Sequence, residues 1–554
     1  MPEEFDVVIL GGGINGCGTF CDLCLQGLRV LLLERDDFCA GASGASSRLM
    51  HGGLKYLETG EFGLVRESLT ERNMLFLTAP HYVRPLQVVL PVRSLFGGFV
   101  TSALRFLGGK GKLTDRGFLI SALGLTVYDL YARARRALPN HHMLTKRALR
   151  RTMPNLPPAI IGAAVYYEGQ ITHAERLGLE LVLDGEAAMP DSRAVTHAEV
   201  LRADADVIHY RAAGQDHQAR AKVIINAGGA WIDKVNARLG IDSHLMGGSR
   251  GAHLVVDSPD LLHALGGRMV YFGTADGRVN LLYPFFGKVL IGATDIAQPD
   301  PDLAICTEAE EDYLLGSVAE VFPDIPIRRD QIAYRYTGVR PLPASTGAIG
   351  GVSRDHSIAA LSLPGTLVPV LCLIGGKWTT FRSFSEQAAD AVLAHLGATR
   401  RTSTAGLAIG GGKGFPRDAQ ARAALVAVYA RLGGLTLARA DALLARYGTR
   451  AREYCASLRG GGEVMLTAQP DYARAEIRHL ARTERALTVD DILRRRTLIA
   501  LTGGDTPTLR TEVAALLAEL NKQTEHLLFV LDIKSTISIP IPSAGLVPTR
   551  AGDA

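Results

Sequence analysis

The stretch FDVVILGGGINGCGTFCDLCLQGLRVLLLERDD, residues 5–37, decides the fold class. DVVIL is a short apolar run of the kind a strand buried on both faces requires. Gly11-x-Gly13-x-x-Gly16 follows at once, then a helix predicted to run to about Gly27, then RVLLLE, a second apolar run that ends in Glu34. The glycines permit a tight turn, close approach of the backbone to a pyrophosphate, and close helix–strand packing. The positive end of the helix then faces the diphosphate. Glu34, 23 residues beyond Gly11, is placed to accept hydrogen bonds from a ribose. Strand, turn, helix and terminal acid in this order predict a dinucleotide-binding domain.

Two further strand-to-glycine turns separate a flavin dinucleotide from a nicotinamide one. QARAKVIINAGGAWID (218–233) is an apolar strand that ends at Gly228-Gly229, and VPVLCLIGGKWTTFRSFSEQAADAVLAHL (368–396) is a strand, a Gly-Gly turn and a helix. Three such turns, widely spaced, suit a discontinuous domain that embraces FAD. AGASGASSRLMHGGLKYLE (40–58) adds hydroxyls at Ser46 and Ser47 that can donate to phosphate. It also adds a His-Gly-Gly turn whose small residues let backbone pass close to a flat ring.

Between these turns the texture changes. RMVYFGTADGRVNLLYPFFGKVLIGATD (268–295) holds three strand-like runs separated by Asp276-Gly277 and Phe286-Gly287, a hairpin signal that predicts antiparallel sheet. After residue 396, Ala-, Leu- and Arg-rich segments with three- and four-residue apolar spacing predict helices. The expected architecture is therefore an α/β, Rossmann-like FAD domain (1–90, 160–245 and 366–395), an antiparallel-sheet substrate domain (91–159 and 246–365), and a C-terminal helical domain with a flexible tail (396–554).

At 554 residues, 47% hydrophobic and 21% charged, the chain has an ordinary globular composition. It has no apolar run of about 18 residues that would predict a membrane-spanning helix. The start of FDVVIL at residue 5 leaves no room for a signal peptide, and seven cysteines without a zinc spacing fit a reducing cytoplasm. Cys21 and Cys24 form C-x-x-C, but inside the predicted first helix, where packing is the expected role. The net charge of +4 hides RARRALPNHHMLTKRALRR (133–151), which carries seven basic residues and no acid. With the adjacent apolar GFLISALGLTVYDLY, this block suggests contact with an anionic lipid surface. Nucleic acid is not expected, because no aromatic residues interleave with the basic ones.

GGGINGCG, ASSRLMHGGLKYLE, NAGGAW, IGATD, YTGVRPL, SRDHSI, GGKWTTFR and ILRRRT occur in the order found in FAD-dependent glycerol-3-phosphate dehydrogenases, and the chain resembles that family over roughly residues 5 to 500. The resemblance implies a D-amino-acid-oxidase-like flavoprotein with non-covalent FAD and an antiparallel substrate domain with a helical cap. It also implies a peripheral position on the cytoplasmic face of the inner membrane and quinone as electron acceptor, with a homodimer an open option. By the same resemblance Gly11, Gly13, Gly16, Glu34, Ser46, Ser47, Gly228, Lys377 and Thr379 fall on cofactor-binding positions. Lys55, Tyr56, Arg340, Arg354 and Lys377 match the cations and aromatic near the substrate, and His253 matches a histidine of the active site. No metal site is expected.

Oxidising a secondary alcohol by hydride transfer to flavin requires a proton acceptor, an anion anchor and positive charge near the ring. Arg340 and Arg354 suit the anchor, since guanidinium offers paired donors and stays charged. Lys377 suits the developing charge, and His253 the proton. Thr379 and Thr380 either bind cofactor or cap the helix that follows. Three departures from the family pattern leave a four-carbon polyol phosphate, such as erythritol 4-phosphate, open as the substrate. They are Lys55 where arginine is usual, the long segment 94–129, and Thr172-His173 before a helix that usually opens with acids. An amino-acid or amine oxidase on the same fold is a further alternative.

Overall fold

Strand Glu3–Leu10 lies at the centre of a parallel sheet, between Val30–Leu33 on one side and Gln215–Asn226 on the other. Its last four residues are fully buried, as a strand covered on both faces must be. A computed structural model describes residues 1–53, 61–95, 117–133, 137–274, 276–345 and 355–536. Among these the first sheet has eight strands. Pro369–Ile374 extends it in parallel beyond Gln215–Asn226, and Arg193–Val195 extends it beyond Val30–Leu33. Helices Ile14–Leu25, Ala174–Ala188 and Phe381–Leu396 cover one face through a single apolar core.

The second sheet has ten strands and is mixed rather than purely antiparallel. The three runs of 268–295 form the expected meander, Met269–Gly273, Val279–Phe285 and Lys288–Gly292, with antiparallel pairing throughout. Met269–Gly273 then joins Val83–Val92 in parallel.

Sheet membership moves three of the domain divisions drawn from sequence. Val83–Val92 and Gly162–Ile171 pair with each other over ten residues inside the second sheet, although 1–90 and 160–245 were assigned to the FAD domain. Ser357–Ser362 belongs to the first sheet, although 246–365 was assigned to the substrate domain, because it folds back as a hairpin on Pro369–Ile374. For Val83–Val92 and Gly162–Ile171 the pairing partner lies beyond the reach of local pattern. The long strand Gly162–Ile171 runs straight into the helix Ala174–Ala188, so one continuous segment serves both sheets.

The division at 396 coincides with the end of a helix at Leu396, closed by Gly397 in the left-handed conformation (φ 64°). Beyond it, among the described residues, five α-helices from Ala419–Gly433 to Pro507–Thr536 surround their own core. Buried ion pairs join this cap to the nucleotide half. Arg176 donates to both oxygens of Glu484 at 2.7 and 2.6 Å, and Arg496 donates to both oxygens of Asp37 at 2.6 and 2.8 Å. The ILRRRT motif thus grips the loop that follows Glu34.

Candidate active site

The three glycine turns converge. A Cβ on Gly16 would lie 1.9 Å from the Gly11 carbonyl oxygen, and one on Gly11, whose φ is 108°, would lie 2.6 Å from the Ala227 oxygen. Alanine at either position is therefore excluded by backbone, and the first and second turns touch. Asn15 Nδ2 donates to the Gly375 carbonyl at 3.1 Å, which joins the first turn to the third. Trp378 Nε1 donates to the Ser43 carbonyl at 2.9 Å, which ties the third turn to the serine loop.

Gly13 starts the helix Ile14–Leu25 with no side-chain cap of its own, and beyond Ile14 the first-turn amides of Asn15 and Gly16 are open to an anion. Glu34 accepts from the Gly12 amide at 2.6 Å with one oxygen and from the Asp36 amide at 2.8 Å with the other. Two buried polar atoms beside the turns, Asn15 Oδ1 and Thr380 Oγ1, have no hydrogen-bond partner among the described residues. Thr380 does not cap the helix Phe381–Leu396, although it stands at its start. A cradle that only glycine fits, an open helix terminus and orphaned polar atoms are the features a dinucleotide would satisfy, and the residues present fit FAD.

The serines differ from expectation. Ser46 Oγ accepts from the Arg48 amide at 3.2 Å within its own turn, and Ser47 Oγ pairs with His253 Nε2 at 2.7 Å. The hydroxyl nearest the helix terminus is Ser43, which accepts from the Ile14 amide at 3.0 Å. It stands three residues upstream of the pair singled out by sequence, in a run of small residues where nothing local distinguishes one hydroxyl from the next. Thr379 Oγ1 lies 3.2 Å from both the amide and the carbonyl of His51, so it clamps the His-Gly-Gly turn.

The second sheet supplies the other wall. His253 lies on Ser249–Val256, buried and stacked on Tyr336 with ring centroids 4.9 Å apart and planes 6° apart. Tyr336 and Tyr283 donate to the carbonyls of Ser46 and Ser47 at 3.0 and 2.9 Å, which fixes the serine loop over this sheet. Burial, together with the nearby positive charges of Arg340 and Arg48, pushes the His253 imidazole down to about 3. Arg48, which the sequence reading missed, is fully buried and paired with Glu175 at 2.9 Å.

Arg340, about a quarter exposed, donates to Asp295 at 3.1 Å and to the Thr294 carbonyl at 3.0 Å. It crosses Gly251, where a Cβ would lie 2.3 Å from its Nη2. Lys377 stands half-buried just after Gly375 and Gly376, both at positive φ. Lys55, Tyr56 and Arg354 lie outside the described residues. His253, Arg340, Ser47 and Tyr336 are thus gathered from three segments of the chain onto one wall.

A family model for FAD-dependent oxidoreductases matches residues 6–380, and a model for the C-terminal domain of alpha-glycerophosphate oxidase matches residues 402–526. The chain belongs to the FAD-dependent oxidoreductase family. It is 33% identical over 528 residues to a glycerol-3-phosphate dehydrogenase of Synechocystis, covering 90% of each chain. It is also 30% identical to the human mitochondrial glycerol-3-phosphate dehydrogenase, over 90% of this chain and 68% of that one. Among solved structures, the glycerol-3-phosphate dehydrogenase of Bacillus halodurans complexed with FAD superposes with a TM-score of 0.70 at 21% identity, over 96% of this chain and 94% of that one. Family membership makes this a flavoprotein oxidoreductase with FAD as its cofactor, and the cradle described above fits that group.

Thr172 and His173, which depart from the family pattern, contact Tyr82 and Phe286. Thr172 Oγ1 donates to the Tyr82 carbonyl at 3.1 Å, and His173 packs edge-on against Phe286, with burial and the Arg176 charge holding its imidazole neutral. Cys21 and Cys24 are free and buried in the first helix.

Proposed function

We propose that the protein oxidises sn-glycerol 3-phosphate to dihydroxyacetone phosphate and passes the electrons to a quinone. Bound FAD supplies the hydride acceptor. The observation that carries the reading is His253, a buried neutral imidazole held between Ser47 and Tyr336 and depressed by two guanidinium groups. A neutral imidazole is the form that accepts a proton, and a phosphate dianion bound at Arg340 would offset the positive field and raise its basicity. Arg340 orients the phosphate with its planar fork, and Lys377 lends positive charge at the third glycine turn. Lys55, Tyr56 and Arg354 complete the substrate contacts in this proposal. A four-carbon polyol phosphate is the closest rival, but the altered helix start favours neither substrate, since its side chains touch Tyr82 and Phe286.

Anaerobic bleaching of the bound flavin by glycerol 3-phosphate, with erythritol 4-phosphate and a neutral amino acid alongside, tests the reading. Fast bleaching by the three-carbon phosphate is expected. Bleaching by the four-carbon phosphate or the amino acid alone would overturn it.

We further propose a peripheral membrane position on the cytoplasmic face. No single helix among the described residues is long and apolar enough to cross a membrane. Helix Phe118–Ala132, however, turns Leu119, Leu123 and Leu130 outward at 46, 64 and 63% exposure. The basic helix Lys146–Thr152 follows it in the chain. Three leucines on one exposed stripe beside positive charge fit an anionic bilayer. Co-flotation with anionic vesicles at low salt is expected, and its absence would refute the placement.

A further inference from the structure

We propose that Glu168 and Tyr128 are positioning residues that hold the His-Gly-Gly turn in its working place. Glu168 lies in the middle of strand Gly162–Ile171 with its carboxylate facing inward. It accepts from the Gly52 amide at 3.1 and 3.3 Å, from the Tyr128 hydroxyl at 2.6 Å and from Arg72 Nη1 at 2.8 Å. The Tyr128 oxygen in turn accepts from the same Gly52 amide at 3.0 Å and from Arg72 at 2.9 Å. Arg72 Nη1 also donates to the Tyr167 carbonyl at 3.1 Å, and its Nε and Nη2 donate to Asn73 Oδ1 at 3.2 and 3.0 Å. Arg72, Tyr128, Glu168 and Gly52 are all buried, and they come from two helices, a strand and a loop.

A buried charged network is a poor way to gain stability, since apolar side chains of similar volume do as well or better. Its specificity is the informative part. Two acceptors, both held by the Arg72 guanidinium, converge on a single backbone amide, and that amide belongs to the turn leading into Lys55. The fit leaves no slack, because a Cβ on Gly52 would lie 2.2 Å from the Tyr128 oxygen and 2.4 Å from Leu69. On the other side of the turn, His51 is bonded through both its amide and its carbonyl to Thr379. The turn is therefore pinned between the third glycine turn and the Glu168–Tyr128 pair. A displacement of roughly 1 Å at such a segment lowers a reaction rate by about a hundredfold.

The catalytic consequence rests on the proposed oxidation of glycerol 3-phosphate, whereas the clamp itself does not. The test uses the flavin-loaded full chain with Glu168→Gln and, separately, Tyr128→Phe. Four quantities are measured: flavin content, the rate of anaerobic flavin reduction at saturating glycerol 3-phosphate, the rate of reoxidation by ferricyanide, and exchange of the Gly52 amide by mass spectrometry. Losing one hydrogen bond to a buried charged group corresponds to roughly a tenfold to hundredfold effect. We expect reduction to slow by that factor in the loaded enzyme, reoxidation to stay unchanged, and Gly52 exchange to speed up by a similar factor. A lower flavin content with an unaltered reduction rate in the loaded fraction would mean a merely structural role and would overturn the proposal. Should Glu168→Gln fail to fold, Tyr128→Phe decides, because it keeps the Glu168–Arg72 pair. If wild-type flavin is not reduced at all, the functional reading fails, and Gly52 exchange still decides the clamp: unchanged exchange in both variants refutes it.

Discussion

Acidification should destabilise this protein through His253, and substitution of that one residue should remove a defined share of the effect. The imidazole ordinarily titrates near 6.5, and in the folded chain it is pushed down to about 3 by burial first, then by the charges of Arg340 and Arg48. A depressed histidine means that the unfolded chain takes a proton which the folded chain refuses. Stability from this group is therefore fully present above about 6.5 and declines as pH falls from there toward 3. The slope is about 1.4 kcal/mol per pH unit, so lowering the pH from about 7.5 to about 5 costs about 2 kcal/mol. His253→Gln keeps a polar group beside Ser47 but cannot titrate, and it should lose about 2 kcal/mol less than wild type over the same interval. His173 is also held neutral by burial, but it is common to both proteins and cancels. Urea unfolding at both pH values, followed by tryptophan fluorescence, is the assay. Its only reporters are Trp231 and Trp378, both beside the glycine turns, so the signal comes from the nucleotide half rather than the cap. Parallel pH dependence in the two proteins would refute the argument that His253 is buried as a neutral base.

Gly16→Ala should fold with a distorted first turn and bind FAD at least about tenfold more weakly, because its Cβ meets the Gly11 carbonyl at 1.9 Å and overpacking of this kind costs about 1–3 kcal/mol; a dissociation constant within twofold of wild type, from flavin fluorescence, would contradict it. Glu484→Gln leaves the buried guanidinium of Arg176 without its counter-charge and should cost about 3–5 kcal/mol, while the double replacement Arg176→Met with Glu484→Met should cost far less. Chemical denaturation of the single and double variants separates these outcomes. Arg340→Lys should raise the Michaelis constant for glycerol 3-phosphate about tenfold or more, since lysine keeps the charge but loses the two-point grip. A fall in melting temperature with an unchanged Michaelis constant would instead make Arg340 a partner of Asp295 alone.

Local chemistry carried the cofactor half of this protein. Gly16 and Glu34 act through turns and contacts within a few dozen residues, on Gly11 and Gly12, and the Asp276-Gly277 and Phe286-Gly287 turns close on the strands that flank them. Such features are legible because hairpin turns and glycine conformations are properties of short segments. The sharing of strands between sheets was not legible. Val83–Val92 and Gly162–Ile171 are both apolar runs that would suit either sheet, and only their mutual pairing across 70 residues of chain assigns them to the second. The polar groups divide in the same way. Ser43, Tyr128 and Glu168 carry no motif-level mark, and Arg48, although it lies inside ASSRLMHGGLKYLE, has no mark of its role there, because each takes its meaning from a partner on another element: Ile14, Gly52, Arg72 and Glu175. The sequence by itself determined the flavin cradle, the order of strand and helix, and the identity of His253 and Arg340 as candidates. Only the tertiary structure decided that the His253 imidazole is buried and neutral against Ser47, and that the His-Gly-Gly turn is held from both sides. Burial and long-range charge set those properties, and neither is a property of neighbouring residues.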